Sequence, residues 1–185
     1  MLLLPSTVLI LYNRSSLINH WDRPVYTMKT EVLDILMYLF ETYLDDDDST
    51  IPSEKSIRKE LSKIGFQDTK VTQAFDWLDD LAVLKESYEE ISALESNSIR
   101  LYSPMETDKF DIQARGILMD LVELTVISPG QREIIIDKAL ALDIPHIDAE
   151  QMKWVVLMVL FNLPDSAGSF TWLQDLLYEE SPSIH

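Results

Sequence analysis

From Val32 the chain repeats its apolar residues with a helical period. Val32, Ile35, Leu36, Leu39, Phe40 and Tyr43 fall at i, i+3, i+4, i+7, i+8 and i+11, which places one apolar stripe along an amphipathic helix. Thr30 is its expected N-cap, and Glu31 and Asp34 suit the positive end of the helix dipole. PSEKSIRKELSKIGF predicts a second helix, capped by Ser53, striped by Ile57, Leu61 and Ile64, and closed by Gly65 at C′. QDTKVTQAFDWLDDLAVL predicts a third, with Asp68 as N-cap and Val71, Ala74, Phe75, Leu78, Leu81 and Ala82 as its buried face. Two helices joined by a short Gly turn have the spacing of a helix–turn–helix. The β-capable piece Ile99 to Tyr102 follows a Ser/Asn-rich turn and predicts one strand of a small hairpin around Ile91 to Tyr102, which would be the wing.

The second half reads as a helical bundle. Ser103-Pro104-Met105-Glu106 is a capping box with Pro at N1. It opens one expected helix carrying Phe110, Ala114, Ile117, Leu118, Leu121 and Leu124 on a single face, with an Asp111–Arg115 pair at i, i+4. Gly116 interrupts that helix at a cost of roughly 1 kcal/mol against Ala, so another backbone is expected close by. Ser128-Pro129-Gly130-Gln131 repeats the start signal before REIIIDKALAL, and Asp148 caps AEQMKWVVLMVLFNL. Trp154 to Phe161 is apolar on all sides, too short to span a bilayer, which takes about 20 apolar residues. It is expected to be the central buried helix. SFTWLQDLLYEE predicts a last amphipathic helix with Phe170, Leu173, Leu176 and Leu177 inward.

The pattern therefore predicts an all-α protein. Residues 28–103 would form a winged-helix-like part, 104–180 a helical bundle and 181–185 a frayed tail. The first 27 residues fit neither. MLLLPSTVLILY is apolar for 12 residues but has no Lys or Arg before it and no A-x-A site after it, unlike a signal peptide. Residues 1–27 are expected to be a poorly ordered extension from an upstream mis-called start, with no membrane anchor and a cytoplasmic protein.

Composition removes several chemistries. The chain has no Cys and only 4 Gly, so disulfides, thiolate catalysis and Cys-based metal sites are excluded. Its net charge is −17; from Met28 onward there are 13 basic against 31 acidic residues. Such a surface repels phosphate backbones; it would attract a basic partner or simply keep the protein soluble, and solubility is the favoured reading. The tract DDDDST, Asp45 to Thr50, fails as a calcium loop in both registers, because neither Gly at position 6 nor Glu at position 12 is present. It reads as a solvated linker.

The exposed positions of the third helix include Lys70, Gln73, Asp76, Asp79 and Asp80. Three carboxylates against one Lys oppose direct nucleic-acid binding. Of the three His, His20 lies in the extension and His185 at the terminus. His146, in the turn DIPHID between Asp143 and Asp148, is the one acid/base or metal candidate; a loop His bonding a helix cap is the favoured reading. No phosphate-binding glycine loop and no G-x-S-x-G occurs. No catalytic residue, cofactor or metal is expected. Trp77, Asp76, Asp80 and Trp172 are the candidate partner contacts, although an aromatic at a stripe's edge more often closes a core. Arg100 and Arg115 are expected to be buried ion-pair partners.

Several phrases, in order, carry a resemblance. They are MYLFETY at Met37–Tyr43, Gly65-Phe66, Trp77-Leu78, IRLY at Ile99–Tyr102, Arg115-Gly116, ALALD at Ala139–Asp143 and KWVVLMVLFN at Lys153–Asn162. Over roughly Met28 to Tyr178 the chain resembles the bacterial Smg family, a domain of unknown function whose members begin near the position of Met28. The resemblance implies a small cytosolic bacterial protein and assigns no activity, cofactor or site residue. The leading expectation is a non-catalytic protein-interaction or regulatory module. The alternative is a nucleic-acid-associated regulator using the helix–turn–helix, and third an enzyme with a site around His146.

Overall fold

The computed structural model describes residues 31–44, 52–86 and 100–163. Among the described residues there are seven helices: α1 (Val32–Leu44), α2 (Glu54–Ile64), α3 (Asp68–Glu86), α4 (Pro104–Lys109), α5 (Ile112–Glu123), α6 (Pro129–Ala141) and α7 (Ala149–Asn162). They contain no strand beyond an isolated parallel bridge between Phe110 and Ile147, so the chain is mainly helical. No helix among them is long and apolar enough to cross a membrane. Most of the expected hairpin, the opening 27 residues and the last amphipathic helix lie outside the described residues. The described end of the hairpin, Arg100 to Tyr102, is not in a strand. The chain divides into two units between Ala82 and Val83.

In the first unit, α1 buries Val32, Ile35, Leu36, Leu39 and Phe40 as the period predicts, and Leu33 with them. The Asp34 carboxylate accepts from the Glu31 backbone N–H at 3.1 Å in the first turn, and Thr30, the expected N-cap, lies outside the described residues. Tyr43 stays half-buried because its hydroxyl donates to Glu60 Oε2 at 3.0 Å, while Tyr38 donates to Oε1 of the same carboxylate at 2.8 Å. One α2 side chain thus holds two rings of α1.

Ser53 caps α2 through Ser56 N–H. Gly65 ends it at φ 110°, a left-handed conformation that favours glycine. Ile57 and Leu61 are buried, whereas Ile64, expected inward, is exposed one residue before the turn. The Gln67 carbonyl takes the first α3 bond, from Val71 N–H, so Gln67 and not Asp68 occupies the cap position. Arg58 joins α2 to α3: its guanidinium lies 4.4 Å from the centre of the Phe75 ring and donates to Thr72 Oγ1 at 3.1 Å.

The second unit surrounds α7. From Trp154 to Leu163 every residue is at most 9% exposed, and α5 and α6 pack on α7 and on each other. Capping boxes start α4, α6 and α7 at Ser103/Glu106, Ser128/Gln131 and Asp148/Gln151. The single helix expected after Pro104 is instead two. Phe110 turns extended and buries fully, and Asp111 restarts the chain by accepting from Ala114 N–H at 2.6 Å. The break is held from outside: Ile147 N–H donates to the Lys109 carbonyl and Asp111 N–H to the Ile147 carbonyl. Asp111 is therefore a cap, and Arg115 donates through Nε to its backbone carbonyl rather than forming the expected carboxylate pair. Leu124, expected inward, is exposed past the end of α5.

Charged groups in this unit serve the fold. The Arg100 guanidinium bonds both oxygens of Glu106, at 2.7 and 3.0 Å, and donates to Glu133 on α6 at 3.0 Å. It also stacks 4.6 Å from the centre of the Tyr102 ring. Glu106, only 8% exposed, still accepts from Ser103 N–H to cap α4. Hydrogen bonds from Arg100 hold its carboxyl down at about 2, against the opposing effect of burial. Burial pushes the Lys109 ammonium down, with Asp143 opposing, and Nζ donates to the Leu140 and Leu142 carbonyls at the end of α6.

Two predictions follow from this packing. A Cβ on Gly116 would meet nothing within 4 Å, and its φ is not positive, so no neighbouring backbone demands glycine there. Gly116→Ala should stabilise the protein by about 0.5–1 kcal/mol in urea unfolding; destabilisation would mean that the site is crowded. For Glu106, the folded carboxyl at about 2 lies below its unfolded value of 4.5. The native state takes up that proton last, so the stabilisation is complete above pH 4.5 and is lost as pH falls towards about 2. The amount is on the order of 3 kcal/mol. Glu106→Gln keeps an N3 cap acceptor without the charge, and its stability should fall less steeply across that window than the wild type's.

Candidate functional site

Helix α3 carries the candidate contacts, and its two sides separate them. Positions 71, 74, 75, 77, 78 and 81 face inward, and Trp77 is among them at 4% exposure. Trp77 therefore contributes to the core, the usual fate of an aromatic at a stripe's edge. Asp76 and Asp80 are exposed on the opposite side with Thr72, Gln73 and Asp79. Trp172 lies outside the described residues.

The acidic side gathers carboxylates of one sign. Burial pushes the Asp79 carboxyl up, and Glu54, Asp76 and Asp80 push it further, against the opposing charge of Arg58. Glu54 sits in the first turn of α2, so two helices contribute to one negative surface. The Glu54 carboxylate also accepts from Arg58 Nε at 2.7 Å, which partly offsets it. This surface can hold a cationic group.

The His146 turn is built differently. Its imidazole is exposed, with Nδ1 3.1 Å from the Asp108 carbonyl oxygen. Asp148 is occupied as the cap of α7, accepting from Gln151 N–H. Asp143 is exposed and acts on Lys109. The turn thus ties the loop before α7 to the end of α4, and the structure does not bring its His and carboxylates into one constellation. Among the described residues no three His, Asp or Glu converge as a metal site would require.

Of the two arginines expected in ion pairs, Arg100 is the one so engaged, and it adds Tyr102 and Glu133, neither of which sequence reasoning had joined to it. Tyr102 also lies 5.8 Å from the Arg115 guanidinium and donates its hydroxyl towards the Arg115 carbonyl at 3.4 Å. A second feature was missed altogether. Lys55, Lys59 and Lys63 stand one turn apart on α2 and are all exposed. Their i, i+4, i+8 spacing was the available signal.

Comparison with known proteins places the chain. The model of a family described as a protein of unknown function (DUF494) matches residues 32–185. The Smg homolog of Nitrosococcus oceani is 39% identical over 153 residues, covering 83% of this chain and 96% of that protein. The Smg homolog of Thioalkalivibrio sulfidiphilus is 39% identical over 157 residues, covering 85% and 99%. That of Stenotrophomonas maltophilia is 39% identical over 155 residues, covering 84% and 98%. No solved structure matches. The match spans both units of the fold, and the chain belongs to the Smg family, DUF494.

Proposed function

We propose that the chain is a non-catalytic cytoplasmic module for protein interaction or regulation, and that the outer face of α3 meets a basic segment of its partner. The observation that carries this reading is the gathering of Asp76, Asp79, Asp80 and Glu54 on one surface, whose negative charge Arg58 offsets in part. Like charges held together on a folded surface cost free energy, and a cationic partner recovers it. The ionic groups of the second unit support the same reading from the other side. Arg100 donates to both Glu106 and Glu133, and Lys109 and His146 reach backbone carbonyls.

The runner-up is a nucleic-acid-associated regulator built on α2, the Gly65 turn and α3. The turn geometry favours it, and the carboxylates on the outer side of α3 oppose it, because a duplex would bring phosphates against them.

Crosslinking and mass spectrometry in cells tests the first reading. A protein partner crosslinked at α3 in the wild type, and lost in Asp76→Lys/Asp80→Lys, is the expected result. Absence of any reproducible partner would sink the proposal. A gel shift at low salt addresses the runner-up: duplex binding that weakens steeply with added salt would reverse the order of the two.

A further inference from the structure

Helix α2 has four sides, and three are committed. Ile57 and Leu61 enter the core. Glu54 and Arg58 lie towards α3, where Arg58 meets Thr72 and Phe75. Glu60 lies towards α1 and accepts from Tyr38 and Tyr43. The fourth side, opposite the core, carries Lys55, Lys59 and Lys63, with Ser62 beside them, all exposed. Among the described residues no ion pair or side-chain hydrogen bond engages any of the three lysines.

That arrangement is poor for folding alone. Like charges at i, i+4 destabilise a helix by a few tenths of a kcal/mol per pair, and here two such pairs run in series. The same helix uses Glu54 and Arg58 as a favourable i, i+4 pair on its neighbouring side, so acidic partners one turn away are within its means. The chain as a whole carries −17, yet residues 52–86 hold six of its 15 basic residues against seven acidic ones.

We propose that the outer face of α2 is a docking surface for an acidic protein segment, a helix with carboxylates one turn apart. This goes beyond the α3 reading and adds a second contact surface, of opposite charge, to the same unit. Three lysines over eight residues span about 12 Å of helix rise, and a partner helix with Glu or Asp at the same period matches them charge for charge. The width of the stripe decides against nucleic acid. Duplex binding commonly engages about 6–10 phosphates, whereas this stripe is one residue wide and is flanked by Glu54 and Glu60. A polyanion also meets the repulsion of the whole chain. A short acidic segment responds chiefly to charges within a Debye length of about 8–10 Å.

The test is amide chemical-shift mapping on the full-length chain, with two probes in parallel. One is a helical peptide with Glu at every fourth residue, and the other is a short DNA duplex. The peptide should shift the amides around Lys55, Lys59 and Lys63, bind several-fold more weakly at physiological than at low salt, and produce no shifts in Lys55→Glu/Lys59→Glu/Lys63→Glu. Lys59→Glu alone, which leaves two lysines, should weaken binding without abolishing it and guards against a misfolded triple variant. No shift with the peptide overturns the proposal, as does a duplex that shifts the same amides at lower concentration. The two readings fail separately: absent α3 crosslinks in cells with intact peptide binding would remove the function reading and leave this surface.

Discussion

A helix with no polar face has to be surrounded, and the second unit is arranged around that requirement. From Trp154 to Leu163 α7 has no side for water. Burying one Val or Leu side chain is worth roughly 1.5–3 kcal/mol, so covering α7 contributes heavily to this unit. Helices α5 and α6 supply two walls. The break between α4 and α5 follows from the same demand. There Phe110 turns extended, enters the core and pairs with Ile147 just before α7.

Burial on that scale makes each nearby polar group costly unless it is bonded. This explains the concentration of paired charge where the chain passes from Arg100 into α4. Arg100 has two carboxylates and a ring around it, and Glu106 satisfies a helix end and a cation at once. Removing one member would leave another buried and unpaired, which is the expensive outcome. The first unit treats charge differently. There Glu60 and Arg58 stitch helices together, three lysines lie on the outer side of α2, and Asp76, Asp79 and Asp80 lie on that of α3.

Much of this was legible from periodicity and cap chemistry. The stripes of α1 and α3, the two Ser-Pro capping boxes, the Gly65 terminus and the buried helix at Trp154 all come from local signals that sum along one element. The failures are where a distant segment intervenes. Nothing local announces that Phe110 will pair with Ile147, so the α4–α5 break has no local signal, and Asp111 fits a cap and an i, i+4 ion pair equally well. Gly116 was given a neighbour that the fold does not place there, since helical glycine has the same spelling whether crowded or open. Trp77 shows the reverse limit: its position at the stripe's edge fits either a core or a contact, and burial had to decide. The lysine row on α2 was readable but has no motif name, and its meaning depends on Glu54 and Glu60 being committed elsewhere.

Membership in the Smg family covers both units, so the closed second unit and the first unit belong to one matched region. In this account the second unit is a scaffold anchored on α7, and the first presents the surfaces. Native-state hydrogen exchange resolved by segment tests the anchoring claim most directly. The amides of α7 are predicted to exchange most slowly in the second unit, opening only with its global unfolding, while those of the short helix α4 exchange sooner. Exchange of α7 as fast as α4 would contradict the account, because a helix buried on every side cannot open while its surroundings stay folded.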